Sequence, residues 1–309
     1  MIRFATISFV LLLVACSEAP PPGETAAVAA PAVEAATDPA PAPGPTASEM
    51  LAATLAAQPE DVQARYAYRH PQETLEFFEI EPGMTVYETL PGGGWYSKIL
   101  LSYLGPEGHL VGGDYAADMF PLFGFFPEDF IAAKATWVET WTAEAEGWRD
   151  EDSATVSAFQ MGSLPEEMHG MADAAVVIRT LHNLARFEGE GGYLTTALAD
   201  LYNILKPGGV VGVVQHMARD EMPDDWASGA MGYLKDDFVI ERMTAAGFEF
   251  SGMSGINFND KDQPTTDDMV WRLPPTLSTS REDPDLRAAM EAIGESNRMT
   301  IKFRKPATE

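Results

Sequence analysis

Apolar residues follow two alternating rhythms along most of this chain. Short unbroken runs read as buried strands at 85–89, 109–113 (ending on Asp114), 154–159, 172–178, 210–216, 248–253 and 299–303. Stretches with apolar positions three and four apart read as helices at 96–104, 192–205 and 236–246, the last stopped by Gly247. Ahead of the first strand, a helix is expected at 48–57 with Ser48 as N-cap. A second starts near Pro59 and runs through Arg65 and Tyr68, and a third covers 72–78, opened by Pro71. The stretch 120–148 is aromatic-rich and partly helical, and 254–298 is a long connection with a helix at 285–293. Strands alternating with helices predict an α/β fold, a mostly parallel seven-stranded sheet covered on both faces. The last two strands lack a full helical crossover, which predicts an antiparallel hairpin at one edge.

The first 48 residues break this rhythm. Arg3 precedes an apolar run at 4–14, too short to span a bilayer, which takes ~20 residues. The run ends in Leu13-Val14-Ala15-Cys16. That ending resembles a bacterial lipoprotein signal, with residues 1–15 removed and Cys16 lipidated. An ordinary secretory signal with an incidental cysteine is the other reading. Ser17 stands where an aspartate would favour inner-membrane retention, so the resemblance implies an outer-membrane lipoprotein facing the periplasm. Residues 16–48 are dominated by Ala and Pro, with acids but no bases, and read as a disordered tether. Residues 49–309 then form the folded domain, large enough for one sizeable core.

Charge narrows the partners. The chain carries 47 acids against 20 bases, a formal net charge of −27. Such a surface repels phosphates and anionic lipid, so nucleic acid is not an expected partner and membrane contact falls to the Cys16 anchor. Cys16 is the only cysteine, which excludes an intrachain disulfide and a thiolate zinc site. The five histidines lack metal-ligand spacing, so no metal is expected.

Chemistry is densest where the first strand ends. Glu88 closes an apolar run, Pro91-Gly92-Gly93-Gly94 turns the chain, and a helix follows. A glycine turn between strand and helix lets backbone approach a ligand, and a nearby acid can take a hydroxyl or an amine. A nicotinamide-type turn would need a further glycine near Ser97, and none is there. Asp114 ends the second strand. Arg179-Thr180-Leu181-His182-Asn183 follows the fourth, and Leu205-Lys206-Pro207-Gly208-Gly209 precedes the fifth. Together with Ala245-Ala246-Gly247-Phe248, these stations resemble the class I S-adenosylmethionine-dependent methyltransferases. Arg69-His70-Pro71-Gln72, Pro82-Gly83-Met84 and Lys302-Phe303-Arg304-Lys305-Pro306 bring the chain closer to a group of bacterial predicted methyltransferases, many with export signals.

The resemblance implies a Rossmann-like methyltransferase sheet, S-adenosylmethionine as cofactor and methyl transfer to a small molecule. It implies a cofactor set of Glu88, Leu90, Gly92, Gly93, Gly94, Asp114, Tyr115, Gln160 and Arg179, with Asp114 on the ribose hydroxyls. His182, Asn183, Tyr96 and His70 are the catalytic candidates. Two positions depart from the family pattern: Leu90 replaces the first glycine of the turn, and Gln160 stands where an acid usually meets adenine. These departures, and export away from the cytoplasm where the cofactor is made, keep open a non-catalytic binding or scaffold lipoprotein with the same fold. Asp114 could equally cap its turn, Arg179 could bind a substrate anion or pair with an acid, with pairing preferred, and His70 could cap a helix. Phe120, Phe123, Phe125, Phe126 and Phe130 could cover an apolar substrate or simply pack.

Overall fold

The two rhythms resolve into one sheet between helices in the computed structural model, which describes residues 44–307. Cys16 and most of the expected tether lie outside the described residues. The strands are β1 (Thr85–Thr89), β2 (His109–Asp114), β3 (Thr155–Gln160), β4 (Ala172–Ile178), β5 (Leu205–His216), β6 (Glu249–Ser254) and β7 (Arg298–Arg304). They stand in the order β3-β2-β1-β4-β5-β7-β6. Strands β1 to β5 pair in parallel, and β7 is antiparallel to both β5 and β6. The expected seven-stranded, mostly parallel sheet with an antiparallel edge pair is what the chain forms. Chain progression reverses between β1 and β4, so a crevice opens at the carboxyl ends of those two strands.

Alternation along the central strands feeds two cores. Tyr87, Val111, Ala175, Val177, Val211 and Val213 face one side; Val86, Leu110, Ala174, Val176, Val210 and Val214 face the other. On the first side pack α8 (Leu181–Arg186), α10 (Tyr193–Ile204) and α11 (Asp236–Ala245), through Leu184, Leu198, Leu201, Val239 and Met243. On the second pack α1 (Ala47–Ala56), α5 (Trp95–Leu104) and α7 (Trp137–Glu146), through Leu51, Ile99, Leu100 and Trp141.

Four local expectations need correction. The cap of α1 is Thr46, not Ser48. Thr46 accepts from the Glu49 amide (3.2 Å) while the Glu49 carboxylate accepts from the Thr46 amide (2.8 Å). Two reciprocal bonds outweigh the single one Ser48 could make, and Ser48 instead donates to Glu76 (2.6 Å). The single helix expected from Pro59 is split into α2 (Glu60–Gln63) and α3 (Tyr66–Arg69), hinged at Arg65 (φ −96°, ψ −4°), with both Arg65 and Arg69 paired to Glu295. Pro71 does open a helix, α4 (Pro71–Phe77). The stretch after β4, for which the apolar pattern gives no element before 192, folds as α8 and α9 (Glu188–Gly191). Finally β5 begins at Leu205: Leu205 pairs with Ala172, a bulge follows, and regular pairing resumes at Val210 with Ala174. The aromatic stretch becomes a 3-10 turn (Ala117–Phe123), α6 (Glu128–Ala133) and α7, and α12 (Pro284–Ile293) lies in the long connection before β7.

Candidate functional site

The turn after β1 shapes the crevice. Leu90 has a left-handed backbone (φ 51°), as do Gly92 (φ 56°) and Gly94 (φ 75°). Leucine thus adopts the conformation a glycine would hold at that point, at a cost of about 1 kcal/mol. The Leu90 amide is held by the Gly113 carbonyl (2.6 Å). Gly94 is required for space as well as for φ, since a Cβ there would lie 2.5 Å from the Trp148 ring.

Beside the turn lies a cavity of about 870 Å³ whose wall includes Leu90, Gly92, Asp114, Tyr115 and Asn183. The five phenylalanines of 120–130 form much of the rest, with Lys134, Arg186, Met269 and Trp271. The rings interlock, Phe126 stacking on Phe130 at 4.5 Å and Phe123 meeting Phe187 edge-on at 5.0 Å. Phe125 remains 68% exposed, so the aromatic wall reaches the surface. The cavity wall thus joins polar groups at strand ends to the aromatic cluster, with Tyr115 packed against Phe120 and Phe123 (6.1 and 6.3 Å).

Asp114 is buried on this wall, and its carboxylate is already engaged. Lys134 Nζ lies 2.7 Å from Oδ2, and the Tyr115 amide donates to Oδ1 (2.9 Å). Burial pushes the carboxyl up, against the pull of Lys134. The ammonium also sits 4.3 Å from the Phe120 ring centre and 5.0 Å from that of Phe130, a cation held between an acid and two aromatic faces. Sequence reasoning missed Lys134 because no pattern separates it from the other charges of a helix end. Tyr115 donates its hydroxyl to the Thr180 carbonyl (3.0 Å) and accepts from Asn183 Nδ2 (3.2 Å). Asn183 Oδ1 is left buried without a partner, a free acceptor on the wall residue nearest β4.

Other candidates lie off this wall. Glu88 is 3% exposed and accepts from Ser97 Oγ (2.6 Å), and burial lifts its carboxyl to about 7. It anchors the first turn of α5 to the end of β1. Gln160 donates to the Lys134 carbonyl (3.0 Å) and faces a separate cavity of about 420 Å³. Gly93 lies exposed on the outside of the turn. His182 is buried against Gln215 (3.4 Å) and near the Trp271 ring (5.8 Å); burial brings its imidazole down to about 4, so it stays neutral and weakly basic at neutral pH. His70 sits at the N-cap position of α4 in a left-handed conformation but makes no cap bond, and its Nδ1 is buried without a partner.

Tyr96 and Arg179 fall in a different group. The Tyr96 phenol is buried, pushed up by that burial against the opposing pull of Arg69. Arg179 follows β4 with a left-handed backbone (φ 56°), and its amide is fixed by the Val214 carbonyl (2.7 Å). Among the described residues it has no carboxylate partner. Around it stand Arg65, Arg69 and Arg298, all three paired to Glu295.

No family model matches the chain, and no curated protein matches it. Solved structures do. The cyclase SpnF aligns with 17% identity over 85% of this chain and 97% of its own, at a TM-score of 0.48. A SAM-dependent methyltransferase from Aquifex aeolicus aligns with 14% identity over 80% of this chain and 98% of its own (TM-score 0.45). An arsenic(III) S-adenosylmethionine methyltransferase from Chlamydomonas reinhardtii aligns with 14% identity over 86% of this chain and 75% of its own (TM-score 0.42).

Proposed function

We propose that this chain binds S-adenosylmethionine in the crevice between β1 and β4 and transfers its methyl group to a small molecule seated in the aromatic cavity. The observation that carries the reading is one cavity whose wall combines the left-handed turn at Leu90 and Gly92, the β2 acid Asp114 and five phenylalanines. The turn keeps its backbone form despite Leu90. Asp114 offers acceptors for ribose hydroxyls once Lys134 moves aside, and Asn183 Oδ1 offers one to an amine. The cofactor supplies an electrophilic methyl on a sulfonium. What the chain must add is alignment of acceptor and methyl, and exclusion of water, to which the aromatic wall contributes.

Calorimetry on the full chain with S-adenosylmethionine and S-adenosylhomocysteine tests this. Binding of both is expected, and a chain that gives neither heat nor a thermal shift with either ligand would sink the reading. A non-catalytic binding lipoprotein is the second reading, favoured by the Lys134–Asp114 pair that occupies the ribose acid. It predicts cofactor or product binding without turnover, so release of labelled S-adenosylhomocysteine in the presence of envelope extract would defeat it.

The Cys16 signal supports placing the protein in the cell envelope, anchored by lipid to the outer membrane and facing the periplasm. A Cys16→Ser chain should leave the membrane fraction for the soluble one; unchanged fractionation would refute the anchor.

A further inference from the structure

Arg65, Arg69, Arg179 and Arg298 gather around a single carboxylate, Glu295. Arg69, Arg298 and Glu295 are each about 4% exposed in their side chains, whereas Arg65 and Arg179 are only half-buried, so the positive cluster runs from the interior to an accessible edge. The bonds of Glu295 are already committed: Arg65 Nε at 2.9 Å, Arg69 Nε at 3.3 Å and Arg298 Nη1 at 3.0 Å. The guanidinium of Arg179 donates no hydrogen bond to any described residue, and its Nε and that of Arg298 are buried without partners. Buried cations without counter-charge are costly. A chain with 47 acids and 20 bases has no shortage of carboxylates to neutralise them. The surplus stands instead at strand ends. Arg179 is the first residue after β4, Tyr96 lies in the first turn after the β1 glycines, and Arg298 begins β7 opposite His216 at the end of β5.

We infer that Arg179, which lies off the wall of the aromatic cavity, receives with Arg69 and Arg298 behind it an anionic group, a carboxylate or phosphate, on a methyl acceptor that extends from that cavity past Asn183 toward the end of β4. This rests on the methyltransferase reading above and names the acceptor's class. The amino-acid end of S-adenosylmethionine is a zwitterion, and its ammonium would meet three guanidinium groups with no free carboxylate among them. A net anion fits the surplus better. Arg179 can offer a planar fork to two oxygens, the geometry in which guanidinium binds such groups most strongly.

Inorganic phosphate serves as the probe, titrated into the full chain by calorimetry at constant ionic strength, beside S-adenosylhomocysteine. Wild type should bind phosphate saturably. Arg179→Gln should weaken that binding about tenfold or more, the scale of one charge-assisted hydrogen bond, while S-adenosylhomocysteine affinity stays within about threefold. Arg179→Lys, which keeps the charge and loses the fork, should fall between. Circular dichroism and melting confirm that both variants fold, and if Gln does not, Lys carries the comparison. Absence of saturable phosphate binding by wild type overturns the proposal, as does unchanged binding by folded Arg179→Gln. Parallel loss of S-adenosylhomocysteine affinity would assign the arginine to the cofactor's carboxylate and overturn the acceptor assignment. Phosphate binding with no S-adenosylhomocysteine binding by wild type would overturn the methyltransferase reading while supporting the anion site.

Discussion

Glu88 carries a pH signature that one substitution should expose. Burial lifts its carboxyl from 4.5 to about 7, against the lowering effect of the Ser97 hydrogen bonds. In the unfolded chain the group returns to its ordinary range. An acid raised on folding holds its proton more tightly in the native state. Its stabilising contribution is therefore complete below about pH 4.5 and is lost as pH climbs through about 7. Across that window the folded chain gives up about 3 kcal/mol relative to a neutral group of the same shape. Glu88→Gln supplies that group, and the amide oxygen can still accept from Ser97 Oγ, now 2.6 Å from the carboxylate. Urea denaturation of wild type and variant at steps from about pH 4.5 to about pH 8.5 gives two stability curves. Subtracting them cancels the titration of the chain's other acids. The variant should gain on wild type by about 3 kcal/mol from the acid to the alkaline end, most of it before about pH 7.5. A difference flat within about 0.5 kcal/mol, or one of the opposite slope, would refute a buried protonated carboxyl at the end of β1.

Other perturbations read other parts of the fold. Gly94→Val forces a β-branched residue to φ 75° and places its Cβ 2.5 Å from Trp148; we expect a loss of about 2 kcal/mol or more, seen as a lower melting temperature, and a neutral result would refute the close packing of turn and ring. Asp262 accepts from Arg272 Nη2 (2.8 Å), the Tyr233 hydroxyl (2.9 Å) and the Asn297 amide (2.9 Å) with no solvent exposure of its side chain. Asp262→Ala leaves buried Arg272 short of its innermost partner and should cost about 3 kcal/mol in urea denaturation; a loss under about 1 kcal/mol would show that the pair is not buried in solution.

Where the sequence was legible, a local cause explains it. Strands 85–89 and 172–178 coincide with β1 and β4 because both are buried on two faces and bounded by turn residues. The stop at Gly247 holds because a left-handed residue (φ 97°) follows α11 there. Elsewhere the deciding interactions are distant. Nothing local marks Arg65 as a hinge; its partner, Glu295, is 230 residues away. Asp114 was visible as a strand-ending acid, yet its occupation by Lys134 depends on how 115–134 folds back over β2. Met269 and Trp271, which close the far wall of the cavity, come from the long connection where periodicity is weak. Arg179 was legible as a cation after β4, but its lack of a carboxylate partner emerges only when four arginines and one glutamate converge.

The insertion of β7 between β5 and β6 has a consequence for how the protein comes to exist. Among the described residues, strand β6 has no sheet neighbour except β7, which lies more than forty residues later in the chain, at Arg298–Arg304. During vectorial synthesis β5 therefore presents an open, apolar edge, and β6 has nothing to join until that late segment emerges. Until that partner strand is made the pairing cannot form, and an unpaired edge invites association with other chains. Nascent molecules pass through this open state for the whole interval, so a holdase that covers strand edges would act on β5 and β6 in particular.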